Sequence, residues 1–596
     1  MQQTAAANDD LGTLPEWNLD DLYPGRTSPQ LAADLDRAEK DAKALKEAYA
    51  GRLDSLAGDT LAEVIGKYEA LQDSLGRIMS YGYLVYCTAM NDPETGRFFQ
   101  GLQERCTTIS SELLFVTLEI NRIDDARFEQ QLESPALAHY APWLRDSRAF
   151  RPHQLSDEAE TLLHERYVVG GGAWERLFNE TMARLRFPVG DRQLTSAEAL
   201  NLLANRNPET RKAAAESVSK VLGDNIQTLA LITNTLVKEK EIDDRWRHYA
   251  RPISFRNLSN HVEDEVVDAL IAAVKGAYPR LSHRYYALKA RWMGVEALNY
   301  WDRNAPLPED ADKVVPWPEA QTIVLDAYRR FSPEFAAIGE RFFENAWIDA
   351  PVRQGKASGA FAHPTVPSAH PYLLLNYQGK VRDVMTLAHE LGHGVHQVLA
   401  GHLGPLMSHT PLTLAETASV FGEQLTFRAL LDSETDPKRR RVMLASKVED
   451  MLNTVVRQIA FCEFERRVHE TRREGELTPD DFAKLWVETQ TESLGPAIRM
   501  NEGYGVYWSY IPHFVHTPFY VYAYAFGDCL VNALYAVYQD AEQGFQEKYM
   551  AMLKAGGTLR HKELLAPFGL DASDPAFWQK GLGVIEGFIG ELEEAL

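Results

Sequence analysis

His389-Glu390-Leu391-Gly392-His393 sets two imidazoles four residues apart with a carboxylate beside the first. On a helix of about 3.6 residues per turn His389 and His393 project from one face, one turn apart, as two ligands of a tetrahedral zinc must. Glu390 is turned away by about a hundred degrees, so it faces a water to be activated rather than the ion. A catalytic zinc needs a third protein ligand. A third histidine on an extended motif is excluded, because that pattern requires Gly and His where the chain has His396 and Leu399. A later carboxylate remains, and the segment from Leu414 to Glu423 offers Glu416 and Glu423, which share one helical face with Ser419 between them. Spacing favours Glu416 as the ligand, leaving the other glutamate to orient a ligand histidine. His396 is expected to pack, since the two motif histidines already take the positions facing the metal.

Three further stretches carry groups suited to peptide chemistry. Ile511-Pro512-His513-Phe514 runs on to Tyr520, Tyr522 and Tyr524, and imidazole and phenol groups are suitable donors to a carbonyl oxygen that gains negative charge. Asn501-Glu502-Gly503-Tyr504-Gly505 reads as a mobile turn that brings Tyr504 or Tyr507 to substrate. Arg353-Gln354-Gly355-Lys356 leads into Ser358-Gly359-Ala360-Phe361. The Gly, Lys and Ser/Thr register of a phosphate-binding loop is absent there, so these residues are expected to form a loop and edge strand that hold an extended peptide by main-chain hydrogen bonds, with Gly359, Ala360 and Phe361 as contacts.

The elements that must position these groups are mostly helical. Ser or Asn before Pro, and Thr before Pro, mark helix starts at Ser28-Pro29, Asn207-Pro208, Ser332-Pro333 and Thr478-Pro479. Amphipathic spacing follows Pro29, Thr60 and Ser156 and runs from Ala213 to Ile242. The best apolar run of strand character is Tyr372-Leu373-Leu374-Leu375. A mainly α protein with one small β-sheet beside the zinc helix follows. With no Gly/Ser linker to divide the chain, the turn at Arg206-Asn207-Pro208 is the expected boundary between a helical region over 1–205 and a catalytic region over 206–596. Gly170-Gly171-Gly172 follows a helical pattern and is a flexible helix connection, not a dinucleotide site. Lys438-Arg439-Arg440-Arg441 reads as a solvated helix face.

The 596 residues carry a formal net charge of -23, which disfavours nucleic acid and anionic membranes as partners. Four cysteines without CxxC spacing fit a reduced compartment. No stretch approaches the roughly 18 apolar residues of a membrane span, and the first residues have neither the basic nor the apolar part of a signal peptide, so a cytoplasmic location is expected.

In the order and combination of its motifs the chain resembles the M3 family of zinc metallopeptidases, in particular the oligoendopeptidase F branch. The resemblance begins at Trp17-Asn18-Leu19-Asp20-Asp21-Leu22-Tyr23-Pro24 and continues through Arg353-Gln354-Gly355-Lys356 and Gly359-Ala360-Phe361. It is sharpest at Thr386-Leu387-Ala388 with the HExxH motif, and Ala415-Glu416-Thr417-Ala418-Ser419 and the His513 to Tyr524 segment complete it. It implies one zinc per chain held by His389, His393 and Glu416, with Glu390 as general base. It also implies transition-state and substrate contacts from His513 and from Tyr520, Tyr522 and Tyr524, among which the spacing does not choose the oxyanion donor. Aminopeptidases with HExxH usually have their glutamate where this chain has Leu412, and their GxMEN motif is missing here. The family fold implies two helical lobes around a deep channel that admits short peptides. Hydrolysis of internal bonds in oligopeptides is therefore the expected activity. The alternatives are a dipeptidyl carboxypeptidase-type exopeptidase of the same superfamily and a non-catalytic peptide-binding protein.

Overall fold

The computed structural model describes residues 11–90, 92–167, 169–307, 314–357, 359–539 and 544–595. Ser358 and part of the Pro-containing stretch between Asn304 and Pro318 lie outside the described residues. Twenty-six α-helices and seven strands of two or three residues make up the described regular structure, apart from short 3₁₀ turns. Helices begin at Pro29, Pro208, Pro333 and Pro479, where the cap residues predict them. Asn207, Ser332 and Thr478 each accept a backbone N–H of the first turn, while Ser28 makes no such bond.

The chain forms two compact units, each assembled from three stretches. The first comprises Met1–Arg151, Asp312–Ser433 and Val537–Gly569, and the second Pro152–Ala311, Glu434–Ala536 and Leu570–Leu596. The turn at Arg206-Asn207-Pro208 separates two helical elements inside the second unit.

In the first unit the helices Pro29–Tyr49, Gly58–Thr88 and Pro93–Arg122 pack on one another. Leu31, Leu35, Ala38, Ala42 and Leu45 recur at helical spacing and are buried. A three-stranded sheet lies beside the HExxH helix, Val381–Ala400. Its central strand, Tyr372–Leu374, is fully buried, runs parallel to Ile348–Asp349 and antiparallel to the edge strand Phe361–His363. The apolar run thus reads as a strand covered on both faces. Lys356 ties this sheet to the preceding loop. Its buried ammonium donates to the carbonyls of Asp349, Pro351 and Leu375 and pairs with the Asp349 carboxylate at 2.6 Å. The opening motif packs on the same sheet, Trp17 edge-on to Tyr372 and the Tyr372 hydroxyl donating to the Asn18 carbonyl.

The HExxH helix and the helix Thr417–Ser433 touch along Gly392. A Cβ there would stand 2.5 Å from the Ala418 carbonyl oxygen and 2.7 Å from the Ser419 Cα, so only glycine admits this approach. In the second unit an aromatic core gathers Phe461, Phe464, Phe482, Trp486, Trp508 and Phe514, with Phe482 and Trp508 stacked at 4.4 Å. Two further two-stranded sheets occur there, Phe187–Val189 with Arg192–Leu194 and Leu298–Asn299 with Ile498–Arg499. Sheet structure is therefore spread over three small pieces, of which the one beside the HExxH helix is the largest. All four cysteines are buried and unpaired.

Candidate functional site

The side chains of His389, His393 and Glu416 meet in the first unit. The Glu416 Oε2 lies 3.3 Å from the His389 Nε2 and 3.4 Å from the His393 Nε2. Ligand atoms about 2.05 Å from a tetrahedral zinc stand about 3.3 Å apart, so this carboxylate oxygen is placed as a co-ligand of each imidazole. One ligand atom from each residue lies within 4.8 Å of the others, the one such group of His, Cys, Asp or Glu side chains among the described residues. Glu423 meets the other edge of the first imidazole, its Oε2 3.3 Å from the His389 Nδ1. That contact fixes which His389 nitrogen faces the metal position. Ser419 donates to the Glu416 carboxylate at 2.6 Å and holds it in place. Glu416 thus stands beside both imidazoles, and Glu423 beside the far edge of one.

The field at this point favours a cation. Burial pulls the His389 pKa down, yet the Glu423 contact and the charges of Glu416, Glu390 and Glu423 raise it to about 9. Burial pushes the Glu416 carboxyl up, but His393 and His389 hold it far below the usual carboxylate range. Two imidazoles and one carboxylate with a histidine-orienting glutamate fit a divalent metal of the zinc type. Glu390 is buried at 8% exposure, and burial raises its pKa, with the Ala362 amide of the edge strand opposing. The general-base candidate therefore lies against the edge strand formed by Phe361, Ala362 and His363. The carbonyl of Ala362 accepts from Gln397 one turn beyond His393. Gly359 is exposed, and Ala360 and Phe361 are partly so. His396 is buried, and burial lowers its pKa to about 4, as expected of a packing histidine. A cavity of about 820 Å³ in this unit reaches His393, His396 and Ala415 and is bounded by Tyr68 and Trp143. Among the described residues its lining has Arg341 as a charged side chain and no carboxylate.

The second unit gathers His513, Tyr520 and Tyr524. The His513 Nε2 lies 3.4 Å from the Tyr524 hydroxyl, and the two phenol rings are 5.3 Å apart. Burial, then the charge of Arg457, lowers the His513 pKa. Tyr522 does not join this group. Its ring is wholly buried and its hydroxyl accepts from Asn260 at 2.9 Å, because the helix starting there turns successive residues by about a hundred degrees. Tyr504 and Tyr507 also depart from expectation. Both are buried and packed against Tyr300, Tyr504 tilted and Tyr507 edge-on, with the Tyr507 hydroxyl donating to the Ala215 carbonyl and the Tyr504 hydroxyl 3.4 Å from the Gln490 side-chain oxygen. Gly503, at φ 95°, makes the turn that directs them inward.

Residues that pattern reading missed hold the cluster. Phe519 takes a positive φ of 59°, a strained conformation for an aromatic residue. Its N–H donates to Glu465 at 2.9 Å, Arg256 donates to the Pro518 carbonyl at 3.2 Å, and the same guanidinium lies 5.9 Å from the Tyr520 ring centre. Burial pushes Glu465 up to about 8. The available signal is an acidic residue on the same helical face as the buried Phe461 and Val468.

Two histidines and a glutamate just before a neighbouring helix, with a buried carboxylate next to the first histidine, are the arrangement of a metallopeptidase. The sequence profile of peptidase family M3 matches residues 201–584 and that of oligopeptidase F residues 119–187. The chain belongs to peptidase family M3 and is a metal-dependent hydrolase acting on peptides. The oligopeptidase PepF of Bacillus subtilis (strain 168) is 29% identical over 97% of this chain and 87% of its own. An oligoendopeptidase F homolog of Lactococcus lactis subsp. lactis is 26% identical over 97% of this chain and 96% of its own. Among solved structures, oligoendopeptidase-F from Enterococcus faecium covers 95% of this chain and 97% of its own at 24% identity and a TM-score of 0.71. A chain from Chlamydophila abortus reaches a TM-score of 0.86 at 22% identity, covering 98% and 100%. These two show a shared, mainly helical fold. Among the described residues no helix is long and apolar enough to cross a membrane.

Proposed function

We propose that the chain is a zinc endopeptidase that cuts internal bonds of short oligopeptides. The convergence of His389, His393 and Glu416 at 3.3–3.4 Å, with Glu390 buried one position along, is the observation that carries this reading. Zinc, when bound, supplies Lewis-acid polarisation of the scissile carbonyl and lowers the pKa of a water from about 15.7 toward 7. Glu390 accepts the proton of the attacking water and delivers it to the leaving amide nitrogen. Such general acid–base work contributes about 10²–10⁴-fold. Glu423 keeps the His389 ring in the ligating orientation. Gly359, Ala360 and Phe361 offer main-chain groups to an extended peptide.

His513, with Tyr524 or Tyr520, donates to the carbonyl oxygen as it gains charge. That role comes from the family resemblance, and the pairing of His513 with Tyr524 and the lowered pKa of the ring support it. The names of the relatives, oligopeptidase and oligoendopeptidase, support small peptides as substrates. A reducing cytoplasm suits four unpaired buried thiols.

The test is a ten-residue peptide blocked at both ends and analysed by mass spectrometry. Internal cleavage that a chelator stops and added zinc restores is the expected outcome. No cleavage of the blocked peptide, with release of dipeptides from the unblocked one, would replace this reading by an exopeptidase.

A further inference from the structure

One buried group in the second unit holds more cations than ion-paired carboxylates among the described residues. Lys289, Arg211 and Arg303 are buried there at 1, 3 and 9% exposure, and Arg457 is half-buried. Two carboxylates serve this group and both are occupied. Glu449 binds Lys289 and accepts from the Tyr285 hydroxyl at 2.7 Å, and Asp302 takes the Arg211 fork at 2.8 and 2.9 Å. Neither Arg303 nor Arg457 has a carboxylate within ion-pair distance among the described residues.

Arg457 has only weak company. One of its terminal nitrogens lies 3.4 Å from the Tyr510 hydroxyl, its Cζ sits 4.8 Å above the Phe461 ring, and its Nε is buried without a partner. The Gln490 Nε2, whose partner oxygen on the same amide lies 3.4 Å from the Tyr504 hydroxyl, is likewise a buried donor without an acceptor. Burial, then the charge of Arg303, works against the Arg457 cation. Leaving charge in this state is costly, and a guanidinium with open donors is the side chain best shaped to receive a carboxylate in a two-point contact. Arg457 is also near enough to His513 to shift its titration, so an anion held there lies beside the cluster assigned to the substrate.

We propose that Arg457, backed by Arg303 and Tyr510, binds a carboxylate of the peptide substrate, either the C-terminal group or an Asp or Glu side chain. The proposal rests on the peptidase reading above and adds to it a preference for anionic peptides. In a chain of net charge -23 such a preference cannot come from the overall field, which repels anions. It requires a local site.

The experiment uses the full-length zinc-loaded enzyme and one quenched nine-residue peptide in four forms, C-terminal acid or amide, each with Asp or Asn at one internal position moved along the peptide. The wild type is expected to favour a charged form on the order of tenfold in kcat/KM, chiefly through KM. Preference within the acid–amide pair identifies the C-terminus, and preference within an Asp–Asn pair identifies a side chain. R457Q should erase the charged-to-neutral ratio, and R457K should restore part of it because the charge returns without the fork. Equal rates for all four forms in the wild type overturn the proposal while leaving the peptidase reading intact, and this arm depends on no variant folding. An unchanged ratio in folded R457Q overturns it as well. Failure to cut any form overturns both.

Discussion

In the first unit, three ligand atoms and a carboxylate come from two helices pressed together at Gly392, with Glu416 just before the second of them. In the second unit, an imidazole and two phenols come from a short helix, a strained turn and the start of a longer helix. The metal group is rigid because its geometry is that of the α-helix itself, one turn between His389 and His393, with the partner helix at backbone contact. The His513 group depends on contacts from distant sequence, Glu465 under the Phe519 amide and Arg256 under the Pro518 carbonyl and Tyr520 ring. Helical periodicity can assemble a metal site, whereas a cluster of uncharged donors needs tertiary support to point three side chains together.

The largest effects should appear when the metal group is dissected. Glu416→Gln is expected to lose zinc and cleavage together, whereas Glu423→Gln should keep a bound ion with affinity weakened by about 10–100-fold. Metal content measured after dialysis separates them, and equal retention in both variants would refute a glutamate third ligand at either position. Next come the tyrosines. Removing an oxyanion donor costs about 10²–10³ in kcat, so Tyr524→Phe or Tyr520→Phe should show a loss of that size. Tyr522→Phe should lose only the Asn260 contact, about 1 kcal/mol of stability, with kcat kept. A kcat loss in Tyr522→Phe matching those of its neighbours would mean that the phenols are not sorted as the structure sorts them.

The smallest effect is a pH dependence of stability in the second unit. Glu465 holds its proton in the fold up to about pH 8, whereas the unfolded chain releases it near 4.5. Between these values the unfolded state binds fewer protons, so this group's contribution to stability falls as pH rises through the window. Glu465→Gln removes that fall. The melting temperature of the variant relative to the parent should rise from pH 5 to pH 8, and a constant difference would show that Glu465 is ionised in the fold.

The two sites also differ in how far the sequence discloses them. The HExxH spacing, the capped helix starts and the apolar strand Tyr372–Leu374 are local patterns, and each appears where its period places it. Glu416 was legible because it shares a short helical segment with its competitor Glu423, and the metal needs one acidic ligand. Residue type marked Tyr520, Tyr522 and Tyr524 alike as donors, and Tyr504 and Tyr507 alike as substrate contacts. Which of them face inward depends on the turn at Gly503, on the Asn260 contact and on the strain at Phe519, none of which has a local signature. Arg457, Arg256 and Glu465 were invisible for the same reason. Their importance comes from partners dozens to hundreds of residues away.

The central claim is that Glu390 moves the proton while His389, His393 and Glu416 hold the metal. Zinc content and cleavage of the blocked peptide, measured on one preparation of Glu390→Gln, test it directly. The account predicts about one zinc per chain and cleavage slowed by at least about 10²-fold. Undiminished cleavage with zinc in place would contradict it.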